Sequence, residues 1–371
     1  MKIIGLDGGA TKMRGTSLEI NSDGLILSSA PAKDLIYSEQ WTKKYNVVPL
    51  TQQLEEFKTN SISLGEDEKE YGQIFVKVAF QLIKAYYNNE SVLVGIGMPG
   101  IKTEDKKGIA VMANGPRIPN FIADLTSMLE KNNIKLQAPI KELGSDADYC
   151  GLGEEYSIQG KLRGIENAFY FGIGTGIADA LKLHNKLLSI DSVHNWLPKS
   201  WEMVAPTGKA YERTIAMSAI GEQYKAMTHE TNIHAGHVFE RALQQDKIAC
   251  DLLRTVAYHL ALLVYDRIYS LAIGGTTGSF IANRAYSVHT SHEYCGMVWD
   301  RIVLGQRLGI IWQEQKYNDV FQKYVLQDMA DLLQKLPNNI QERYDINNLF
   351  VASSLEEAPL YGAGIAGCLY S

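Results

Sequence analysis

Residues 1–16 read MKIIGLDGGATKMRGT. Ile3, Ile4, Gly5 and Leu6 make a short, mostly apolar strand, and Asp7, Gly8, Gly9, Ala10, Thr11 and Lys12 follow it directly. A carboxylate therefore stands at a strand end, just before a glycine turn. Gly8 and Gly9 lack side chains, so backbone N–H groups there can approach an anion closely, which suits phosphate. Thr11 adds a hydroxyl and Lys12 a cation. Asp7 would repel a phosphate, and its natural role is to hold Mg²⁺, directly or through water. The same residues equally suit an ordinary hairpin, with the Gly-Gly turn joining the first strand to a second over residues 13–20.

Further along the chain, the sequence alternates helical and extended patterns. Ile74, Val78, Ala79, Leu82, Ile83 and Tyr86 recur at helical spacing and predict an amphipathic helix over 71–87. The run SVLVGIGM at 91–98 is a buried strand ending in Pro99-Gly100. A helix followed by a buried strand marks an α/β layer architecture. Short strands are expected at 25–28, 109–112 and 140–143, and helices at 50–58 and 121–132. Residues 114–120, NGPRIPN, hold two prolines and a glycine, and a domain junction is expected there.

A second strand, glycine turn and strand occupies 167–182, NAFYFGIGTGIADALK, with Gly172, Gly174, Thr175 and Gly176 in the turn. One such unit in each half suggests a duplicated fold whose halves face one another. Beyond it, helices are expected at 211–227, 233–244, 246–273 and 320–336. Strands are expected at 301–308 and 348–352, and a closely packed Gly/Ala-rich helix at 360–369. Segments 33–72, 184–208 and 276–296 match no regular pattern beyond the short helix at 50–58.

Composition narrows the class. The 371 residues suffice for two domains, and a content of 46% hydrophobic and 21% charged residues is that of a globular protein. A net charge of −6 argues against a general nucleic-acid binder, which needs a basic footprint. Cys150, Cys250, Cys295 and Cys368 are far apart with no CxxC pair, so neither a disulfide framework nor a zinc knuckle is indicated. Reduced thiols in a cytoplasmic protein are expected, and no signal peptide is visible at the N-terminus. The most hydrophobic stretch, 252–273, is interrupted by Arg254, His259, Asp266 and Arg267 and reads as a buried helix rather than a membrane span.

Taken in order, DGGATK at Asp7, the turn at Pro99-Gly100, Asn114-Gly115, SDADYCGLGEE at Ser145, GIGTGIAD at Gly172, IVLGQRLG at Ile302 and YGAGIAGC near the end resemble the ROK family. Its members are sugar kinases and sugar-responsive repressors of the actin-like ATPase superfamily. The resemblance implies two α/β domains of ribonuclease-H-like topology with a cleft between them, where ATP and sugar meet. It would assign 1–115, completed by the C-terminal helix 358–371, to one domain and 116–357 to the other. Asp7, Gly8, Gly9, Thr11 and Lys12, together with Gly174, Thr175 and Gly176, would hold the ATP phosphates, with Mg²⁺ on Asp7. Gly305, and with it Gln306, would lie near the adenosine, where family members usually carry two glycines. Asn114, Gly115 and Asp146 would touch the sugar.

Asp146 also has a physical argument of its own. A sugar hydroxyl is a poor nucleophile, and a nearby carboxylate can take its proton as it attacks the γ-phosphorus. Asp146, Asp148 or Ser145 can alternatively cap the helix that runs to Glu155. The chain departs from the family in lacking the Gly-His and CxCGxxGCxE zinc segment, so no structural zinc is expected. His194 lies roughly where the histidine would fall, and Glu212 resembles the sugar-binding glutamate that follows the absent cysteines. Each also reads as a plain surface residue, Glu212 in the first turn of a helix. No helix-turn-helix precedes Met1, which favours the enzyme branch over a DNA-reading repressor. The resemblance implies a homodimer, and the net charge and the interrupted apolar stretch lead us to expect no nucleic-acid or membrane partner. Alternatives are a sugar-sensing or scaffold protein that has lost turnover and an actin-like kinase acting on a non-sugar substrate.

Overall fold

Strand β1 (Lys2–Gly8) pairs antiparallel with β2 (Lys12–Ile20), Gly8 lying opposite Met13. In the computed structural model, which describes residues 2–41, 43, 45–280 and 288–369, with the side chain of Asp146 left out, the first glycine turn is thus the tip of a hairpin. On its far edge β2 pairs antiparallel with β3 (Ile26–Ser28) and with β4 (Lys33–Ile36), the latter a strand inside the segment that lacked a pattern. Next come α1 (Leu50–Lys58) and α2 (Glu66–Tyr86). Helix α2 begins at Glu66 rather than near Tyr71, because Glu66, Asp67 and Glu68 fill its first turn, where carboxylates complement the helix dipole.

Strand β5 (Val92–Gly97) runs parallel to β1. A small ribbon of β6 (Ile101–Lys102) and β7 (Ile109–Val111) precedes α3 (Phe121–Lys131). The strand expected at 140–143 shrinks to β8 (Leu143–Gly144), parallel to β5, and leads into α4 (Asp146–Tyr156). The sheet order is β3-β2-β1-β5-β8, two antiparallel hairpin strands beside the first strand and two parallel strands beyond it.

Both faces of this sheet are covered, as its parallel strands require. Ile4 and Leu6 of β1 and Val92, Val94 and Ile96 of β5 point to one core with Val76, Ala79 and Ile83 of α2. The alternating Ile3 and Leu93 point the other way and pack with Ile365 of the C-terminal helix (Ala358–Leu369). That helix lies so close that only glycine fits at several contacts. A Cβ at Gly5 would lie 2.2 Å from the Leu360 carbonyl oxygen, and one at Gly95 only 1.7 Å from that of Ala363. Helix α4 meets the same helix likewise: a Cβ at Gly153 would be 2.2 Å from the Ala358 oxygen and one at Gly362 1.8 Å from that of Tyr149.

The first compact unit comprises residues 1–158 and 357–371. It therefore runs past the junction expected after residue 115, because α3 packs on α2, β8 extends the sheet and α4 packs on the C-terminal helix.

The second unit, 159–356, repeats the topology. Strands β9 (Ala168–Ile173), β10 (Ile177–Leu183) and β11 (Lys186–Leu188) form an antiparallel meander. After β12 (Met203–Val204) come α5 (Glu212–Ile215), α6 (Met217–Thr228), α7 (Ala235–Leu243) and α8 (Lys247–Ala272). They are followed by β13 (Ser279–Phe280), β14 (Arg301–Gly305), α9 (Gln306–Gln313), α10 (Lys323–Leu333) and β15 (Phe350–Ala352). The order β11-β10-β9-β14-β15, with β14 parallel to β9 and β15, matches the β3-β2-β1-β5-β8 path of the first sheet, which carries β4 in addition. This is the ribonuclease-H-like pattern, present twice.

Helix α8 starts where Asp246 accepts the Ala249 N–H at 2.7 Å, a side-chain cap. By length and composition it could cross a membrane, yet 67% of its apolar window is buried within the unit. Two expectations change here. The strand expected at 301–308 stops at Gly305, where α9 begins, and the helix expected at 211–227 breaks at Ala216, which is extended (ψ 146°). Of the segment 276–296, residues 281–287 lie outside the described residues.

Replacing Gly95 by alanine forces a methyl into the Ala363 backbone. The Gly95→Ala protein should lose about 2–3 kcal/mol by urea unfolding, at the upper end for overpacking; a loss under about 0.5 kcal/mol, ordinary for a surface change, would contradict the close approach.

Candidate functional site

The first hairpin tip is tight. The Gly9 N–H donates to the Lys12 carbonyl at 2.8 Å, closing the turn on itself. Gly8 is required by a neighbour, since a Cβ there would lie 2.0 Å from the Met98 sulfur. Strand β4 brings Asp34 alongside β2, where it pairs with Lys12 and accepts from Arg14 Nε at 2.6 Å. The Arg14 hydrogen bond, outweighing partial burial, holds the Asp34 carboxyl below its ordinary range. Thr11 lends its carbonyl to the Tyr37 N–H at 3.1 Å.

Asp7 sits between Arg14 on β2 and Gly97 on β5 in strand register. Its carboxylate comes near the Gly97 backbone and adds to the burial that pushes the Tyr37 phenol well above its usual value. Among the described residues no group of three His, Cys, Asp or Glu side chains is arranged to hold a metal ion. One carboxylate on a strand end is nevertheless the protein share that Mg²⁺ needs when phosphates supply further ligands.

The second tip is built against helices. The Gly174 N–H donates to the Gly176 carbonyl at 3.0 Å. The Met217 N–H donates to the Gly174 carbonyl at 2.8 Å and the Ser218 hydroxyl to that of Thr175 at 2.5 Å. The break at Ala216 thus turns the start of α6 onto the tip. Glu212 Oε2 accepts the Ile177 N–H at 3.1 Å and would lie 2.9 Å from a Cβ on Gly176. Gly305 pairs with Gly172 across β14 and β9, and Gln306 begins α9 with a left-handed φ of 54°.

Burial raises the Glu212 carboxyl, the Asp179 charge adds to it, and the Ile177 N–H partly opposes both. Asp179 is buried, accepting from the Ser200 N–H at 2.6 Å and its hydroxyl at 2.7 Å, while Arg267 donates to the same hydroxyl at 2.8 Å. His194 is engaged by Glu202, Nε2 to Oε2 at 2.9 Å, and Glu202 is fully buried. The otherwise patternless stretch 184–208 is therefore anchored by buried polar pairs.

In the first unit, Asn114 is exposed and Gly115 buried on the loop after β7. Helix α1 clasps the start of that loop: Gln53 accepts the Met112 N–H at 2.8 Å and donates to its carbonyl at 3.1 Å. At its end, buried Arg117 donates to Glu68 at 2.9 and 2.8 Å and pairs with Glu56. Asp146 is the first residue of α4, and its side chain lies outside the described residues. Ser145 precedes it in extended conformation without a side-chain cap hydrogen bond.

The second unit thus gathers Gly174, Thr175, Gly176, Glu212 and Gly305 around one hairpin, while the first gathers Asp7, Gly8, Gly9, Thr11 and Lys12 around the other. His194 joins Glu202 instead. Sequence reading missed Asp34, Glu202 and Arg117; Asp34 lies on β4 directly opposite Arg14 of β2, a pairing that no local pattern announces.

Two like sheets, each with a glycine hairpin, define an α/β protein of the actin-like ATPase class. The sequence pattern of the ROK family matches residues 51–273, and the chain belongs to that family. No curated protein matches the sequence. Among solved structures, the ROK hexokinase from Thermus thermophilus is 16% identical with a TM-score of 0.58, the match covering 100% of this chain and 99% of that one. A ROK family glucokinase from Streptomyces griseus, in complex with glucose and AMPPNP, is 15% identical over 99% of both chains with a TM-score of 0.58. A ROK family transcriptional regulator, a homologue of the E. coli MLC protein, shares 12% identity and a TM-score of 0.58, covering 99% of this chain and 78% of that one.

A carboxyl that binds its proton more tightly in the folded than in the unfolded chain contributes stability at low pH and loses it as pH rises through the shifted value. Glu212 starts from an ordinary 4.5 and is raised, so Glu212→Gln should gain stability relative to the unaltered chain on going from acidic to neutral pH. Urea unfolding across that range checks this; parallel pH profiles would contradict it.

Proposed function

We propose that the protein is an ATP- and Mg²⁺-dependent sugar kinase, transferring the γ-phosphoryl group to a hydroxyl of a hexose or related sugar. The duplication carries this reading: two sheets of the same order each present a glycine hairpin at the end of their first strand, and Asp7 stands just before one of them. Family membership and the fold shared with a hexokinase and a glucokinase support it.

In this reading the turn residues Gly8, Gly9, Thr11, Lys12, Gly174, Thr175 and Gly176 hold the phosphates, and Gly305 lies on the adenosine side. Asp7 holds the Mg²⁺, which when bound neutralises charge on the phosphoryl oxygens. Asn114, Gly115, Glu212 and His194 contact the sugar. The clasp of Gln53 on Met112 and the Arg117–Glu68 pair fix the loop that carries Asn114 and Gly115. Asp146, at the start of a helix held by glycine contacts, takes the hydroxyl proton as the oxygen attacks phosphorus. A cytoplasmic location and a homodimer belong to the same reading.

A second reading is a sugar-sensing protein without turnover. The favouring observations are that Lys12 is held by Asp34 and that a regulator shares the fold. A coupled assay with a sugar panel, ATP and MgCl₂ separates the two. The kinase reading expects ATP turnover to rise sharply with the right sugar, and Asp146→Asn to lower the turnover number by about 10²–10⁴ with sugar binding retained. Calorimetric sugar binding with no phosphorylated product would select the sensor.

A further inference from the structure

Gln306 occupies a backbone conformation that favours glycine. Its φ of 54° lies in the left-handed region, where a non-glycine residue persists only if its surroundings demand it. The residue directly follows Gly305, which pairs with Gly172. Its side chain runs back over the second glycine hairpin: Oε1 lies 2.4 Å from where a Cβ on Gly174 would be, and Nε2 3.2 Å from where one on Gly172 would be. The carboxamide thus uses the space that these glycines leave open. Its Oε1, a hydrogen-bond acceptor, lies beside Gly174 at the turn.

Basic groups lie next to Gln306 in α9 and at the start of α7, while the Glu212 carboxylate stands at Gly176 on the same hairpin. Arg307, the next residue, is exposed, and its Nη2 lies 3.7 Å from where a Cβ on Gly236 would be, beside His234 at the start of α7. His234 and His237 stack there with ring centroids 3.6 Å apart. Burial first, and then the charges of His237 and Arg307, lower the proton affinity of His234, and a phosphate nearby would reverse that effect.

We propose that Gln306 sets the affinity of the phosphoryl-donor site: its carboxamide covers the turn at Gly172 and Gly174 and gives way when a polyphosphate chain binds. This rests on the kinase reading above. Covering the turn reduces the fraction of molecules competent to bind, and the apparent dissociation constant rises by the inverse of that fraction.

The test is calorimetric binding of AMPPNP with MgCl₂ to the full chain and to Gln306→Ala and Gln306→Gly, with the sugar KM followed in parallel. If the covered form makes up about four-fifths of molecules, Gln306→Ala binds AMPPNP about fivefold more tightly. Gln306→Gly, which also relieves the left-handed backbone, binds at least as tightly, and the sugar KM stays unchanged in both. Equal or weaker AMPPNP binding by Gln306→Ala, with the unaltered protein binding AMPPNP and phosphorylating sugar, would overturn this role alone and make the side chain a structural latch. Absence of AMPPNP binding in all three correctly folded proteins would overturn both this role and the kinase reading.

Discussion

Close approach of neighbouring atoms at glycine, where no Cβ stands in the way, is the constraint on which both units depend. In the first, the C-terminal helix comes this close to the sheet because Gly5 and Gly95 present no Cβ to the Leu360 and Ala363 carbonyls, and α4 meets that helix at Gly153 and Gly362 and through Tyr149 against Ala363 and Ala366. The contact between Gly5 and Leu360 ties the two ends of the chain into one unit, with Ile365 of the last helix packed on Ile3 and Leu93. In the second, Gly172, Gly174 and Gly305 leave room for Tyr170 and Gln306. Interiors packed at crystal-like density do not absorb an added methyl at such points.

The hairpin glycines answer to two demands at once. Gly8 makes way for Met98, Gly176 for the Glu212 carboxylate and Gly174 for the Gln306 amide, so their presence has a packing reason before any ligand is considered. The polar groups drawn to the tips carry the chemical meaning: Asp7 and the Lys12–Asp34–Arg14 set at one, Glu212 and Gln306 at the other. Elsewhere in the second unit, His194 pairs with buried Glu202, and buried Asp179 accepts from Ser200, whose hydroxyl also accepts from Arg267, so polar pairs anchor a stretch of irregular chain. Buried charges of this kind are costly to leave unpaired, so they restrict the loop to conformations that satisfy them.

Much of the fold was legible in the sequence because its signals are local. Apolar runs located β1 and β5, the repeated strand, glycine turn and strand located β2, β9 and β10, and helical spacing located most of α2. Elements set by distant partners were not legible. Strand β4 exists because β2 offers it an edge, and the α5–α6 break exists because the Met217 N–H bonds the Gly174 carbonyl. The early end of β14 follows from the turn into α9 at Gln306. At the site, glycine turns and the Asp146 helix start could be named from motifs, whereas Asp34, Glu202 and Arg117 act through residues 20 or more positions away or through loops without pattern.

The proposed function assigns phosphate-holding residues to each of the two hairpins. Amide hydrogen exchange of the full chain, with and without AMPPNP, MgCl₂ and a sugar that supports turnover, tests it most directly. The account predicts slowed exchange in peptides covering both tips, 7–13 and 173–178, only when nucleotide is present. Protection of neither tip under saturating nucleotide, or of one alone, would contradict it.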